Sequence, residues 1–487
     1  MFLLLVPTAA TLLLLLLLLL LNQKNRPPGP LGLPLIGNLL QFDKSNPHLY
    51  LWRLSRTYGP LAYLRHGPTP ILVVSSANMA KHILTTHDRA FCSRPPVMAQ
   101  QRLSYGGLDM AFSAYNPHWR EMRRICLLHL LSPKQILSFR PVREDEVSRM
   151  VSKISSASSS VNLSAMAMSL ASNLICRVAF GRRYEDDEFD KKRMDRLVLE
   201  AQALMASFYF SDHFPAPLSW VLDKLSGLLD RLDRNCRDLD VFYQELIDEH
   251  QSAPKTTSDI IDLMIQLKAQ NQDLNWDHIK ALLMNLFVAG TDTVAAAIVW
   301  TMTALMLRPA IMKKAQTQIR QVIGSKGRVD EDDINKLPYL KAVVLEALRM
   351  YPPAPLLHRT QILGHDCTVD GYKIRPGTRV IINGWAIGRD PETWDSLDEF
   401  RPERFDDVKI GDDGVEMIPF GGGRRGCPGM RLGLASIELA VANLLYSFDW
   451  ALAQGEHVDT HALPGLTMHK KTPLVLLPSH YHFHVQN

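Results

Sequence analysis

Residues 420–429 read Phe-Gly-Gly-Gly-Arg-Arg-Gly-Cys-Pro-Gly, and a long apolar run follows from Met430. A cysteine at the end of a glycine-rich loop, immediately before a helix-like run, narrows what this chain can build. If the run is a helix, Cys427 lies at its positive N-terminal end, where unpaired N–H groups stabilise an anionic sulfur. Arg425 adds a nearby positive charge, and the glycines let backbone amides approach the sulfur closely. The thiol is therefore expected to ionise below its usual range. A thiolate so placed suits a soft metal centre, above all haem iron. Two other readings compete: a lone cysteine packed as a small hydrophobe, and a dinucleotide fingerprint, G-x-G-x-x-G, from Gly421 to Gly426. The fingerprint needs a strand before it and a βαβ unit around it. Pro419 and the acidic stretch before it oppose that strand.

The N-terminus sets a second constraint. Phe2 to Leu21 carries no charge, and twenty helical residues would span about 30 Å, enough for a bilayer core. Lys24 and Arg26 follow while no basic residue precedes, which places the C-terminal side in the cytosol. A cleaved signal peptide would carry a basic start and a small-residue cleavage site, and Asn22-Gln23-Lys24 offers none. The expected organisation is a single-pass transmembrane anchor at 2–21, a proline-rich hinge at 22–38 and one body at 39–487. The net charge of +4 comes without a dense Lys/Arg block, so no nucleic-acid partner is expected. Six cysteines are scattered without paired spacing, which fits reduced thiols rather than a disulfide framework.

Within the body, strand-like runs are few: 61–63, 71–74, 379–382 and 474–477. Helical periodicity dominates, for example at 142–154, 241–249 and 311–323. Residues 155–160 and 253–258 read as exposed loops. The expected class is mainly α with a minor β-sheet domain. A largely apolar helix over 276–306 would be about 46 Å long. In its middle sits Ala289-Gly-Thr-Asp-Thr293, where a carboxylate and hydroxyls inside an apolar helix are costly unless satisfied. Gly290 is expected to weaken the helix locally and permit its hydrogen-bond ladder to open; the competing reading is a kinked helix with exposed polar residues. His480, His482 and His484 alternate as a metal site might, but a surface strand or frayed tail is the simpler reading.

Phe420, Gly423, Arg425, Cys427 and Gly429 together resemble the haem-binding signature of the cytochrome P-450 superfamily, which implies that family's fold with haem b held by Cys427 on its iron. Ala289–Thr293 resembles the family's oxygen-activation motif, which implies Thr293 in oxygen activation and Asp292 in relaying protons from solvent. Val294 stands where members often carry Thr or Ser. Glu346-Ala-Leu-Arg349 and Phe400–Phe405 are similar to paired family segments, and imply a buried ionic triad of Glu346, Arg349 and Arg404. Trp119 and Arg123 follow a W-x-x-x-R pattern that implies contact with a haem propionate. Arg425 and Arg359 would be further donors, with His358 as an alternative to Arg359. Arg120 and Arg124 read either as part of a docking surface for a reductase or as a solvated charged face. By family position, Leu286, Ala289, Ala354, Leu356 and Leu466 would face substrate, with the loop 96–118 and Phe208–Phe210. The hinge, Ile387–Asp390 and Gly465–Met468 resemble the plant A-type clan, 71-like group; 238–249 and 356–360 are similar to members near an aldoxime-metabolising branch.

The resemblance implies a monooxygenase of the endoplasmic reticulum membrane with a cytosolic body. Its electrons would come from NADPH through NADPH-cytochrome P-450 reductase, since no flavin or nicotinamide site is apparent in the chain. With O2 it would oxidise a small lipophilic plant metabolite, a terpenoid, phenylpropanoid, alkaloid precursor or aldoxime, by hydroxylation or oxidative ring closure. Two other classes remain: an O2-independent haem-thiolate isomerase, lyase or dehydratase, against which Asp292-Thr293 argues, and a non-catalytic membrane haem protein.

Overall fold

The computed structural model describes residues 26–482 except 184, 186–187, 253–258, 363, 366, 406–416, 454 and 464. The expected anchor at 2–21, the start of the hinge at 22–25, the loop 253–258 and His484 lie outside the described residues.

A central helix, Trp276–Met306, organises the body. Asn275 caps it: its side chain accepts the His278 N–H at 3.1 Å, and the His278 ring answers to the Asn275 N–H. A helix apolar on all sides must be buried on all sides, and this one is wrapped by helices Leu163–Phe180, Pro309–Ile323, Pro338–Met350 and Met430–Ser447. Trp276–Met306 and Leu163–Phe180 are apolar enough to cross a membrane by composition, yet 72% and 61% of their apolar windows are buried inside the body, which makes them core helices.

Gly290 has a different role from the one expected. The helix runs through it as unbroken α-helix, and a Cβ at Gly290 would lie 2.3 Å from Ile175 Cδ1. The glycine lets Leu163–Phe180 pack closely; it does not open the hydrogen-bond ladder.

The sheet has four strands in the order Leu61–His66, Thr69–Val74, Arg379–Asn383, Leu356–Thr360. Thr69–Val74 pairs in parallel with Arg379–Asn383, and the other two pairings are antiparallel. The runs 61–63, 71–74 and 379–382 lie inside longer strands of this sheet, whereas 474–477 only overlaps the start of strand Val475–His480 in a separate three-stranded sheet. Leu356–Thr360 was not expected, nor was the hairpin Cys367–Val369/Tyr372–Ile374. Its turn is Asp370-Gly371 with both residues at positive φ, 50° and 76°, the geometry that such a two-residue turn selects. His480 ends strand Val475–His480 and His482 follows it.

Candidate active site

The glycine-rich loop folds back on itself. Cys427 N–H donates to the Phe420 carbonyl at 2.8 Å, and Gly426 N–H to Gly423 at 3.0 Å. Gly421 and Gly423 hold φ of 70° and 62°, and a Cβ at Gly423 would lie 2.4 Å from both the Leu84 carbonyl and Asp88 Oδ1. Asp88 anchors the loop by accepting Arg424 Nη1 at 2.8 Å. Helix Met430–Ser447 starts three residues beyond Cys427.

Cys427 is accessible although protein surrounds it, so the sulfur faces open space inside the body. The expectation for its ionisation needs correcting. Burial pushes the thiol up, and the Gly429 N–H and the Arg123 charge pull against that push without overcoming it. The protein supplies an apolar seat, and a bound metal cation is what would ionise the sulfur outright. The guanidinium acting on it is Arg123 rather than Arg425.

Arg425 is committed elsewhere. Its Nε donates to the Cys92 carbonyl at 2.7 Å, Nη2 to Ser113 at 2.6 Å and Nη1 to Met110 at 3.3 Å. Its guanidinium lies 4.1 Å over the Trp119 ring. Trp119 spends its own Nε1–H on the Met110 carbonyl at 2.9 Å. Both residues therefore give the donors expected for a propionate to the 92–113 segment.

Arg94, which sequence reasoning missed, adds a third, half-buried guanidinium beside the buried Arg425 and Arg359. It donates to the Ala111 carbonyl at 2.9 Å and to the His358 carbonyl. Arg359 gives Nη1 to that same carbonyl at 2.9 Å. Burial, then mutual repulsion, pushes Arg425 down to about 9 and Arg359 well below its usual range; burial brings Arg94 to about 10. Cations crowded in this way call for an anion. The adjacent His358 ring is accessible yet held down to about 4 by burial and by Arg94. A soft ligand and a crowd of guanidiniums make a donor set that fits haem b, whose iron takes a thiolate and whose edge carries two carboxylates.

On the central helix, Leu286, Ala289, Gly290 and Thr293 are half-buried or exposed, as are the flanking Val288 and Val294, in the middle of a mostly buried element. Their spacing puts them on one stripe, so that stripe opens onto interior space. Thr293 Oγ1 donates to the Ala289 carbonyl at 2.6 Å. Asp292 is buried, and His469 Nε2 stands 3.2 Å from its Oδ2; His469 was also missed. Leu286 and Leu466 border one apolar cluster together with Phe112. Leu356 borders a different cluster beneath the sheet, and Ala354 is half-buried just before it. Phe208 stacks on His213 at 4.8 Å and lies under Lys44.

Asn285 is a polar exception in the apolar flank, and the structure explains it. Its Oδ1 accepts the Met110 and Ala111 N–H groups at 3.0 and 3.1 Å, and its Nδ2 donates to Asp109 at 2.8 Å. Arg349 grips Glu346 with bonds of 2.6 and 2.8 Å, and Arg404 Nε lies 3.2 Å from Glu346 Oε1. Glu346, Arg349 and Arg404 are thus brought together, their side chains sealed from solvent.

The model of the cytochrome P450 family matches residues 27–477. The chain is 49% identical over 476 residues to 6,7,8-trihydroxycoumarin synthase of Pastinaca sativa, covering 94% of each chain. It is 48% identical to a 5-OH-xanthotoxin synthase of the same plant, covering 93% of each, and 41% identical to cytochrome P450 71B37 of Arabidopsis thaliana, covering 94% of each. A solved zebra fish cytochrome P450 with abiraterone superposes with a TM-score of 0.75 at 25% identity, covering 90% of this chain and all of that one. The chain belongs to the cytochrome P450 family, as a monooxygenase of the plant 71 type that carries haem and receives electrons from a redox partner.

Proposed function

We propose that this protein hydroxylates a small, flat, lipophilic plant metabolite of the coumarin or furanocoumarin type. It sits in the endoplasmic reticulum membrane by way of residues 2–21, with its body in the cytosol, and draws electrons from NADPH through NADPH-cytochrome P-450 reductase. The observation that carries the substrate class is near-full-length identity of 49% and 48% to two enzymes named for coumarin and xanthotoxin products. The apolar stripe of Leu286 and Ala289, bordered by Leu466 and Phe112, suits such a ligand.

Haem, when bound, supplies the oxygen and electron chemistry. Cys427 would hold its iron, and Arg359 with Arg94 and Arg123 would receive its carboxylates. Arg425 and Trp119 act one layer out, fixing the 92–113 segment against the haem-binding loop. Leu286, Ala289 and Leu466 exclude water and orient substrate, with Ala354 and Leu356 at the edge. Thr293 offers a hydroxyl at the open stripe, and Asp292 places a buried carboxyl group one residue away. Glu346, Arg349 and Arg404 keep the segment before the haem-binding loop in place.

Co-expression with a plant reductase in yeast microsomes tests this reading. Coumarins and furanocoumarins should give substrate-induced spectral shifts and a product one oxygen heavier, dependent on NADPH and O2. Shifts and products confined to terpenoids or aldoximes, or turnover without O2, would overturn it.

A further inference from the structure

Asp292 sits in the middle of the buried central helix, and among the described residues a single side chain forms an ion pair with it, His469 with Nε2 3.2 Å from Oδ2. His469 belongs to the short strand His469–Lys470, which pairs with Ala462–Leu463 and packs on the central helix. Its place is fixed from both sides. The preceding Met468 accepts Trp300 Nε1 at 2.6 Å and donates its N–H to the Pro353 carbonyl at 2.8 Å. The following Lys470 is engaged elsewhere, with Nζ 2.9 Å from both Asp459 Oδ2 and the Thr472 carbonyl.

The exposures differ in the useful direction. The His469 side chain is 30% exposed and that of Asp292 is 10%. The partly exposed ring therefore meets the buried carboxylate through Nε2 and leaves Nδ1 on its other side. A lysine or arginine here would neutralise Asp292 equally well, but would release protons poorly at neutral pH. Imidazole both takes and gives protons in that range.

We propose that His469 is the residue through which solvent protons reach Asp292, and so Thr293 and the oxygen chemistry beside it. This rests on the monooxygenase reading above. A solvent proton adds to Nδ1, and the proton on Nε2 moves to Asp292 Oδ2. That leaves a neutral imidazole protonated on Nδ1 and a neutral carboxyl. The carboxyl passes its proton inward and becomes a carboxylate again, while exchange with water returns the ring to the Nε2–H form. One proton crosses, only N–H and O–H bonds change, and no electron moves. His469 acts through Asp292 and is a positioning and proton-supplying residue.

The test uses the full chain with its reductase and compares His469→Asn, His469→Lys, Asp292→Asn and the double variant H469N/D292N. Asparagine keeps a hydrogen-bond donor and lysine keeps a cation, but neither relays. Both His469 variants should keep the red-shifted Soret band under carbon monoxide and bind substrate within about twofold of wild type. Product formed per NADPH should fall roughly 10²-fold, the low end for a placed proton donor, with peroxide released instead and a larger solvent deuterium isotope effect. The double variant should lose no more than D292N alone, because the two groups act in series. Two readouts are independent of turnover. The C–O stretch of the carbon monoxide complex should shift in both H469N and D292N, and diethyl pyrocarbonate should modify His469 in the folded wild type. A fully coupled H469K variant, additive losses, or a His469 shielded from the reagent would overturn the proposal. Normal coupling in D292N would overturn it while leaving the monooxygenase reading intact, whereas a wild type lacking the red-shifted Soret band would overturn both.

Discussion

Gly290 shows how one atom fixes the distance between two helices. A methyl group there would lie 2.3 Å from Ile175 Cδ1, so Gly290→Ala should destabilise the fold by about 1–3 kcal/mol. The double change with Ile175→Ala should cost less than the sum of the two single changes, as read by chemical denaturation; an unaffected single variant would contradict the packing argument. Cys427 is the opposite kind of residue, with an environment that disfavours its reactive form until a metal arrives. Cys427→Ser should abolish the red-shifted Soret band while leaving the far-ultraviolet circular dichroism intact. Its position was legible because glycines, arginine and cysteine fall at fixed offsets. Its unassisted ionisation was misread, because a sequence displays nearby charges but not the desolvation that outweighs them.

Between elements, helix Pro338–Met350 is tied to the segment 388–404 through one carboxylate. Glu346 accepts from Arg349, Arg404 and the Arg401 N–H, and Arg349 in turn holds the carbonyls of Gly388, Leu397 and Glu399. Glu346→Ala would leave a buried guanidinium uncompensated, costing about 3–5 kcal/mol, and should lower both the unfolding midpoint and haem content. A second junction responds to acid. His48, buried at the start of helix Pro47–Tyr58, packs against Trp385 at 5.6 Å, and burial with the nearby Arg389 holds its ring down to about 4. The folded state thus binds fewer protons than the unfolded one between about pH 6.5 and 4. The stability this contributes is whole above the unfolded value and drains away as pH falls through that window, by up to about 1.4 kcal/mol per pH unit. Denaturation of wild type and His48→Phe at pH 7.5 and 5 should show a smaller acid loss in the variant. The central helix was readable to its ends, because Asn275 caps a long apolar run. Strand Leu356–Thr360 was not, since its partner Arg379–Asn383 lies about twenty residues away and five residues carry too little periodicity.

At the scale of the whole molecule, the haem seat is assembled from segments far apart in sequence. Arg94, Arg359 and Arg425 repel one another, so the haem-free protein carries a strain that an anion relieves. Arg359→Met should raise the melting temperature of haem-free protein and at the same time speed haem transfer to an apomyoglobin acceptor. A fall in both quantities would refute the crowding argument. Arg94 and His469 escaped sequence reasoning for the same reason: each lies in ordinary-looking surroundings, and only the fold sets it against its partner. Asn285 did leave a trace, as a polar interruption whose loop partners the sequence could not name. Those partners carry a practical consequence. The carbonyls of Met110, Ala111 and Ser113 accept from Arg425 and Arg94, and the amides of Met110 and Ala111 donate to Asn285 Oδ1. Laboratory evolution toward new substrates through this stretch would therefore disturb cofactor retention as well, and libraries would discard many specificity changes as colourless protein unless the arginines' backbone acceptors stayed in register.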